Sequence, residues 1–321
     1  MQRTIRAFLA YGALAIATTT AWGQSAWPTR PIRMIVPAPP GSAPDMFARL
    51  YGEQLRVSLG QAVVIENRPG ASGMLAGDAV AKAAPDGYTV LYGYNQPFTM
   101  NPHLFSKMPY DALKDLVPVT QTLTTAYVIV ANKDFAPKNL AELISAAKRA
   151  PGTINYGTYG PGTPGHLLME LLDERTGAKM VQVPYKQTPI LDVIGGVVSF
   201  SIEPFASAIP YVKSGKLRGL AVASPKRIET LPDVPAMSET VEGMELVGWN
   251  AVWVPAGTPQ EVIAKLNNEL VRITNSPQMR RRMTEADSTP TGTTPEAIAQ
   301  ILRKEYAEWG KLIKVKGIRI D

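Results

Sequence analysis

Apolar and polar positions along this chain follow two rhythms: short β-rich runs, and longer stretches where apolar residues recur every three or four positions. Residues 32–36 (IRMIV) read as a strand, and 44–58 place Phe47, Leu50, Tyr51 and Leu55 on one helical face, closed by Gly60 as a C-terminal cap. Strand 62–66, helix 74–84 and strand 88–92 follow. A second set holds strand 127–131, a helix from Asn139, strand 154–156, helix 166–175, strand 180–184, short helix 190–194, strand 198–202, helix 207–213 and strand 217–223. Asn139 and Glu142 have capping-box spacing. The extended stretch 244–255 then precedes helices at 259–274 and 295–316, the second carrying the stripe Ile298, Leu302, Tyr306, Trp309 and Ile313.

Strands alternating with helices predict an α/β architecture with mainly parallel sheets. Two such sets joined by extended segments predict two lobes, with a ligand cleft between them beyond the carboxyl ends of the strands. The expected lobe I covers 24–125 plus about 246–294, and lobe II covers about 126–245. The C-terminal helix 295–321 is expected to pack across both.

The opening residues change the picture. Arg3 and Arg6 precede a short apolar run, and small residues stand at Ala21 and Gly23, the layout of a secretory leader at 1–23 cleaved near Gly23. The apolar run is shorter than the ~20 residues a membrane span needs. An exported, periplasmic protein is therefore expected. The formal charge of +6 includes the leader's two arginines. The run Arg280-Arg281-Arg282 reads as a solvated helix face, so no nucleic-acid partner is expected.

Chemistry is sparse. The chain has no cysteine, which removes thiolate catalysis and Cys-based metal sites, and its two histidines, His103 and His166, have no partner at metal-ligand spacing. No nucleophile elbow or zinc-helix motif is present, so no catalytic residue, metal or cofactor is expected. Gly160-Pro-Gly162-Thr-Pro-Gly165 fits a dinucleotide fingerprint, but the strand after it ends in MVQVPYK, without the acidic residue a ribose requires. Its physics still applies: a Gly-rich turn opening a helix presents free N–H groups and a favourable dipole to an anion. PPGSAPD, before the first helix, offers the same device in the other half of the chain. Asp45 fits a plain first-turn acid, and Lys186 a surface cation.

Several ordered blocks carry a resemblance: WPTRPIRMIVPAPPGSAPD, GQAVVIENRPGASG, APDGYTVLYG, NPHLF, MPYDALKDLVPV, VPYK, SGKLRGLAVAS, LPDVPAMSE and VPAGTP. Together they resemble the Bug receptors, the extracytoplasmic solute receptors of tripartite tricarboxylate transporters, over nearly all of 27–318. The resemblance implies a two-lobed periplasmic binding protein fold (type II-like) that closes on a small carboxylate and hands it to membrane permease subunits. A monomer is expected. Carried over by position, one ligand loop is Gly41, Ser42, Ala43 and Asp45, and the other Gly162, Thr163, Pro164, Gly165 and His166, with Lys186 and Glu203 beside them. Pro44 lacks an N–H, so this chain departs from the family's glycine-rich first loop. Tyr94, Asn95, Gln96 and Phe98 stand where the family has small polar residues, and Tyr159, Phe205 and Trp249 align near the cleft. Flat aromatic faces suit a planar dicarboxylate such as terephthalate. A sensory co-receptor for a membrane kinase uses the same capture step and is the alternative; an exported enzyme is the third.

Overall fold

A computed structural model describes residues 27–320; the leader read at 1–23 lies outside the described residues. The chain begins with β1 (Ile32–Val36), α1 (Ala43–Leu59), β2 (Val63–Asn67), α2 (Met74–Ala81) and β3 (Thr89–Tyr94), then two single-turn helices, α3 (Gln96–Thr99) and α4 (Asn101–Leu104). The long strand β4 (Leu116–Asn132) leads into α5 (Leu140–Arg149), β5 (Asn155–Thr158), α6 (Pro164–Thr176), β6 (Val181–Pro184) and α7 (Ile190–Ile194). Next come β7 (Phe200–Pro204), α8 (Phe205–Lys213) and β8 (Leu217–Val222). Then β9 (Val247–Pro255) returns the chain to the first lobe, where α9 (Gln260–Thr274), α10 (Pro277–Glu285) and β10 (Ser288–Pro290) precede α11 (Pro295–Lys316).

Local signals explain many of the boundaries. Gly60 ends α1 in the left-handed conformation (φ 70°), and one half of the capping box of α5 is formed, with Glu142 N–H donating to Asn139 Oδ1 at 2.9 Å, while Glu142 Oε2 accepts from Lys138 N–H rather than from Asn139 N–H. The expected strand 127–131 is only the far end of β4, whose first part escapes a periodicity reading because Pro118 and a run of threonines interrupt it. The structure absorbs Pro118 at a register shift against β9. The triple arginine lies exposed on α10, where Arg281 and Arg282 each approach Glu285 at 3.8 Å, as a solvated face does.

Strand direction places the site. The first lobe orders its strands β2-β1-β3-β9-β4, with β1 parallel to β2 and β3, and β9 antiparallel to both β3 and β4. Hence β1, β3 and the first part of β4 run the same way, toward the second lobe. Beyond Ala126 the same strand β4 becomes part of the second sheet, pairing antiparallel with β7 and β8. There β5 is parallel to β6 and β7, so β5, β6 and β7 all point back along β4. The carboxyl ends of both sets of strands therefore face one boundary, which β4 and β9 cross.

The helix α11 joins two cores. Ile298 and Leu302 pack with Phe98, Trp249 and Trp253, whereas Trp309, Leu312 and Ile313 pack with Leu167, Leu168 and Phe200. Midway, Gly310 faces the His103 ring, and a Cβ there would lie 2.6 Å from His103 Cε1. Gly310→Ala is expected to lower unfolding stability by about 1–3 kcal/mol, the usual range for an overpacked contact. Urea unfolding measures it, and an unchanged midpoint would mean that the ring moves aside freely.

Candidate ligand-binding site

Two helix-start loops, one per lobe, reach the shared boundary with the same construction. In the first lobe, Gly41 (φ 81°) precedes the N-cap Ser42, whose Oγ donates to Pro39 O at 2.7 Å. In the second, Gly162 (φ 72°) precedes the N-cap Thr163, whose Oγ1 donates to Gly160 O at 2.7 Å. Neither hydroxyl caps its helix. Instead, the third helical residue reaches back: Gly41 N–H donates to Asp45 Oδ2 at 2.8 Å, and Gly162 N–H to His166 Nδ1 at 3.0 Å. Intrahelical bonding starts with Met46 and Leu167, which donate to Ser42 O and Thr163 O. Among the described residues, the N–H groups of Ala43 and Asp45, and of Gly165 and His166, have no acceptor. Pro44 and Pro164 supply none. Each loop thus keeps two free donors at a positive helix end, the arrangement that holds a carboxylate.

The N–H groups of Gly41 and Gly162 are engaged within their own loops rather than left free. The role of these two glycines is conformational, together with close approach at Gly165, where a Cβ would lie 3.1 Å from Ile202 Cβ. Asp45 is nearly fully buried, and Arg49 and Asn67 also donate to it, from 3.0 and 2.8 Å. Burial alone would raise its pKa; hydrogen bonds from Arg49, Gly41 and Asn67 outweigh this and hold it below the usual carboxylate value. It is a brace for the loop rather than a first-turn charge alone. His166, also buried, accepts at Nδ1 and points Nε2 toward Glu170 Oε1 at 3.6 Å.

Beside the second loop, Glu203 at the end of β7 is wholly buried. Its Oε2 accepts from Tyr159 OH at 2.8 Å and Thr188 Oγ1 at 3.2 Å, while Oε1 has no hydrogen-bond partner. Burial raises its pKa despite those donors. Burial, with the Glu203 charge next, also pushes the Tyr159 phenol well up. Tyr159 remains 37% exposed, enough to meet a ligand. Tyr94 closes β3 and is partly exposed. Tyr127, not singled out from the sequence, stands on β4 where it crosses between lobes; burial, helped by nearby Tyr94, pushes its phenol up to about 12. The available signal was its position as the first residue of the second set.

Other aromatic expectations fail. Phe98 is fully buried, its ring centroid 4.3 Å from that of Trp253, because α3 turns it into the first core. Trp249 joins the same cluster, and Phe205 packs in the second lobe with Val128 and Ile209. Asn95 is buried and turned away, donating to Glu305 Oε2 at 3.1 Å. Lys186 is exposed on the loop after β6, and Gln96 is partly buried in α3.

A family model described as tripartite tricarboxylate transporter family receptor matches residues 47–318. The chain belongs to this family. BugT of Bordetella pertussis is 36% identical over 299 residues, covering 92% of this chain and 91% of that protein. A UPF0065 protein of Bordetella bronchiseptica is 37% identical over 308 residues, covering 95% and 91%. Among solved structures, the periplasmic binding protein BugD superposes with a TM-score of 0.75 at 32% identity, covering 92% of this chain and all of that one. An R. palustris protein solved with adipate gives 0.78 at 33% identity, with the same coverage. MatC from Rhodopseudomonas palustris, solved with bound malate, gives 0.74 at 30%, covering 89% of this chain and all of that one. These family neighbours are solute-binding receptors, and the two-lobed α/β architecture is theirs. Among the described residues, no helix is long and apolar enough to cross a membrane.

Proposed function

We propose that this tripartite tricarboxylate transporter receptor captures a small dicarboxylate between its lobes and delivers it to the transporter's membrane subunits. The observation that carries the reading is the pair of matched helix-start loops, each with two free N–H groups at the boundary where both sets of strands end. Such donors recognise a carboxylate through the main chain, so side-chain identity there is secondary. Adipate and malate, held by the R. palustris relatives, belong to the class that fits. No catalytic step is needed, and export through a cleaved leader supplies the compartment.

The reading extends to ligand shape. Tyr159, 37% exposed and bonded to Glu203, with Tyr127 beside it and Tyr94 next to Tyr127, supports an aromatic dicarboxylate such as terephthalate. With Phe98, Trp249 and Phe205 in the cores, that lining is thinner than the sequence implied.

Calorimetry with adipate, terephthalate and their dimethyl esters tests both parts. The acids are expected to bind and the esters to bind roughly ten- to a hundredfold more weakly, since a hydrogen bond to a charged group contributes ~1.5–3 kcal/mol. Terephthalate is expected to bind at least as tightly as adipate. Equal affinity for acid and ester would remove the carboxylate clamp.

A further inference from the structure

The segment following α11 reaches the second ligand loop from behind. Gly317 ends α11 in the left-handed conformation (φ 63°), and Ile318 N–H returns to Ile313 O at 3.1 Å. This is a glycine stop that lets the chain change direction. It carries Ile318, Arg319 and Ile320 to α4, where Ile320 N–H bonds Leu104 O at 3.3 Å. Leu104 and Ile320 then close together on Gly162. A Cβ built on Gly162 would stand 3.0 Å from Leu104 Cδ1 and 3.2 Å from Ile320 Cγ2.

A polar line meets the same glycine. Gly162 N–H bonds His166 Nδ1, and His166 Nε2 lies 3.6 Å from Glu170 Oε1. Lys316, the last residue of α11, sits 3.3 Å from Glu170 Oε2 and 2.7 Å from Asp173 Oδ2. Its side chain is only 18% exposed, so the pairing is shielded from bulk water.

We infer that Lys316 and Ile320 are positioning residues for the second ligand loop. Ile320 presses Gly162 against α4, while Lys316 fixes Glu170 and through it His166, the acceptor of the Gly162 N–H. Held from both sides, the loop presents the Gly165 and His166 N–H groups already ordered, and a ligand loses less freedom on binding than with a loose loop. This rests on the reading that those N–H groups receive a carboxylate.

Amide hydrogen exchange on the full chain without ligand, with adipate calorimetry beside it, decides the matter. In Ile320→Ala and in Lys316→Met, exchange across 160–166 is expected to rise roughly tenfold, with β5 and β7 still protected, and adipate affinity to fall roughly tenfold. Lys316→Arg should restore both readouts, and Val315→Ala, on an exposed position of the same turn, should change neither. Unchanged exchange across 160–166 overturns the inference, as does an equal rise throughout the second lobe, which would be general destabilisation. If the unmutated chain does not bind adipate, the ligand reading fails, while the exchange result still decides the role of Lys316 and Ile320.

Discussion

Asp45→Asn is expected to weaken binding of the proposed dicarboxylate, with adipate as probe, roughly a hundredfold and to lower stability by about 3 kcal/mol, although it only exchanges one carboxylate oxygen for an NH2 group at almost unchanged volume. Both carboxylate oxygens of Asp45 face donors. Oδ2 accepts from Gly41 N–H at 2.8 Å and Arg49 Nε at 3.0 Å, and Oδ1 from Asn67 Nδ2 at 2.8 Å. An amide supplies one acceptor and turns N–H groups against the remaining donors, so it cannot replace the carboxylate. With the brace lost, 39–42 becomes free to move, and the Ala43 and Asp45 N–H groups must be ordered by the ligand itself. The carboxyl's depressed pKa gives the sign of the pH effect. Its contribution is present above the ordinary value of 3.8 and is lost as pH falls through the lower folded value. Urea unfolding and calorimetry at neutral pH check the result. Wild-type affinity in Asp45→Asn would show that the loop is held by other means.

How far the sequence alone leads depends on the kind of residue. Gly60 and Asn139 could be placed because each acts through its own few neighbours: one φ angle, one capping hydrogen bond. The two helix-start loops were legible for the same reason, as a strand, a glycine turn and a helix start are local. What those loops do with their donors was not. In each, the third helical residue takes the glycine N–H, that of Gly41 or of Gly162. The aromatic residues show the limit more sharply. Tyr94 and Phe98 both follow the same apolar run, yet the strand continues to Tyr94 and a single helical turn then rotates Phe98 into the core. Which face a side chain takes after an irregular turn is a tertiary outcome, set here by Trp253 and Tyr110. The continuous β4 was hidden for another reason. Its first part, to Ala126, pairs in one sheet and the remainder in the other, so its burial pattern changes sheets along its length and matches no single period.

Glu305 is expected to make stability fall as pH rises from about 4.5 to about 7, and Glu305→Gln should remove that part of the slope, leaving the part of the same sign that buried Glu203 carries. Glu305 lies on α11 against the strand that returns between lobes. Its Oε1 accepts from the Trp249 indole N–H at 2.7 Å and its Oε2 from Asn95 Nδ2 at 3.1 Å. Both donors are neutral, and the neighbouring Lys304 is exposed, 3.9 Å from Glu308. Burial therefore dominates and pushes the carboxyl from 4.5 up to about 7, against the opposing pull of Trp249 and Asn95. Between those values the folded chain holds a proton that the unfolded chain has released, so raising the pH favours unfolding. Across the window the loss is on the order of 3 kcal/mol, and above about 7 it levels off because both states are ionised. His103 works the other way, since burial lowers its pKa and makes acid destabilising. Subtracting the Glu305→Gln profile from the wild-type profile cancels that contribution. Chemical unfolding at half-unit steps from pH 4.5 to 8 gives both curves. Parallel curves would mean that Glu305 titrates as in water and that the Trp249 and Asn95 contacts leave its proton affinity untouched.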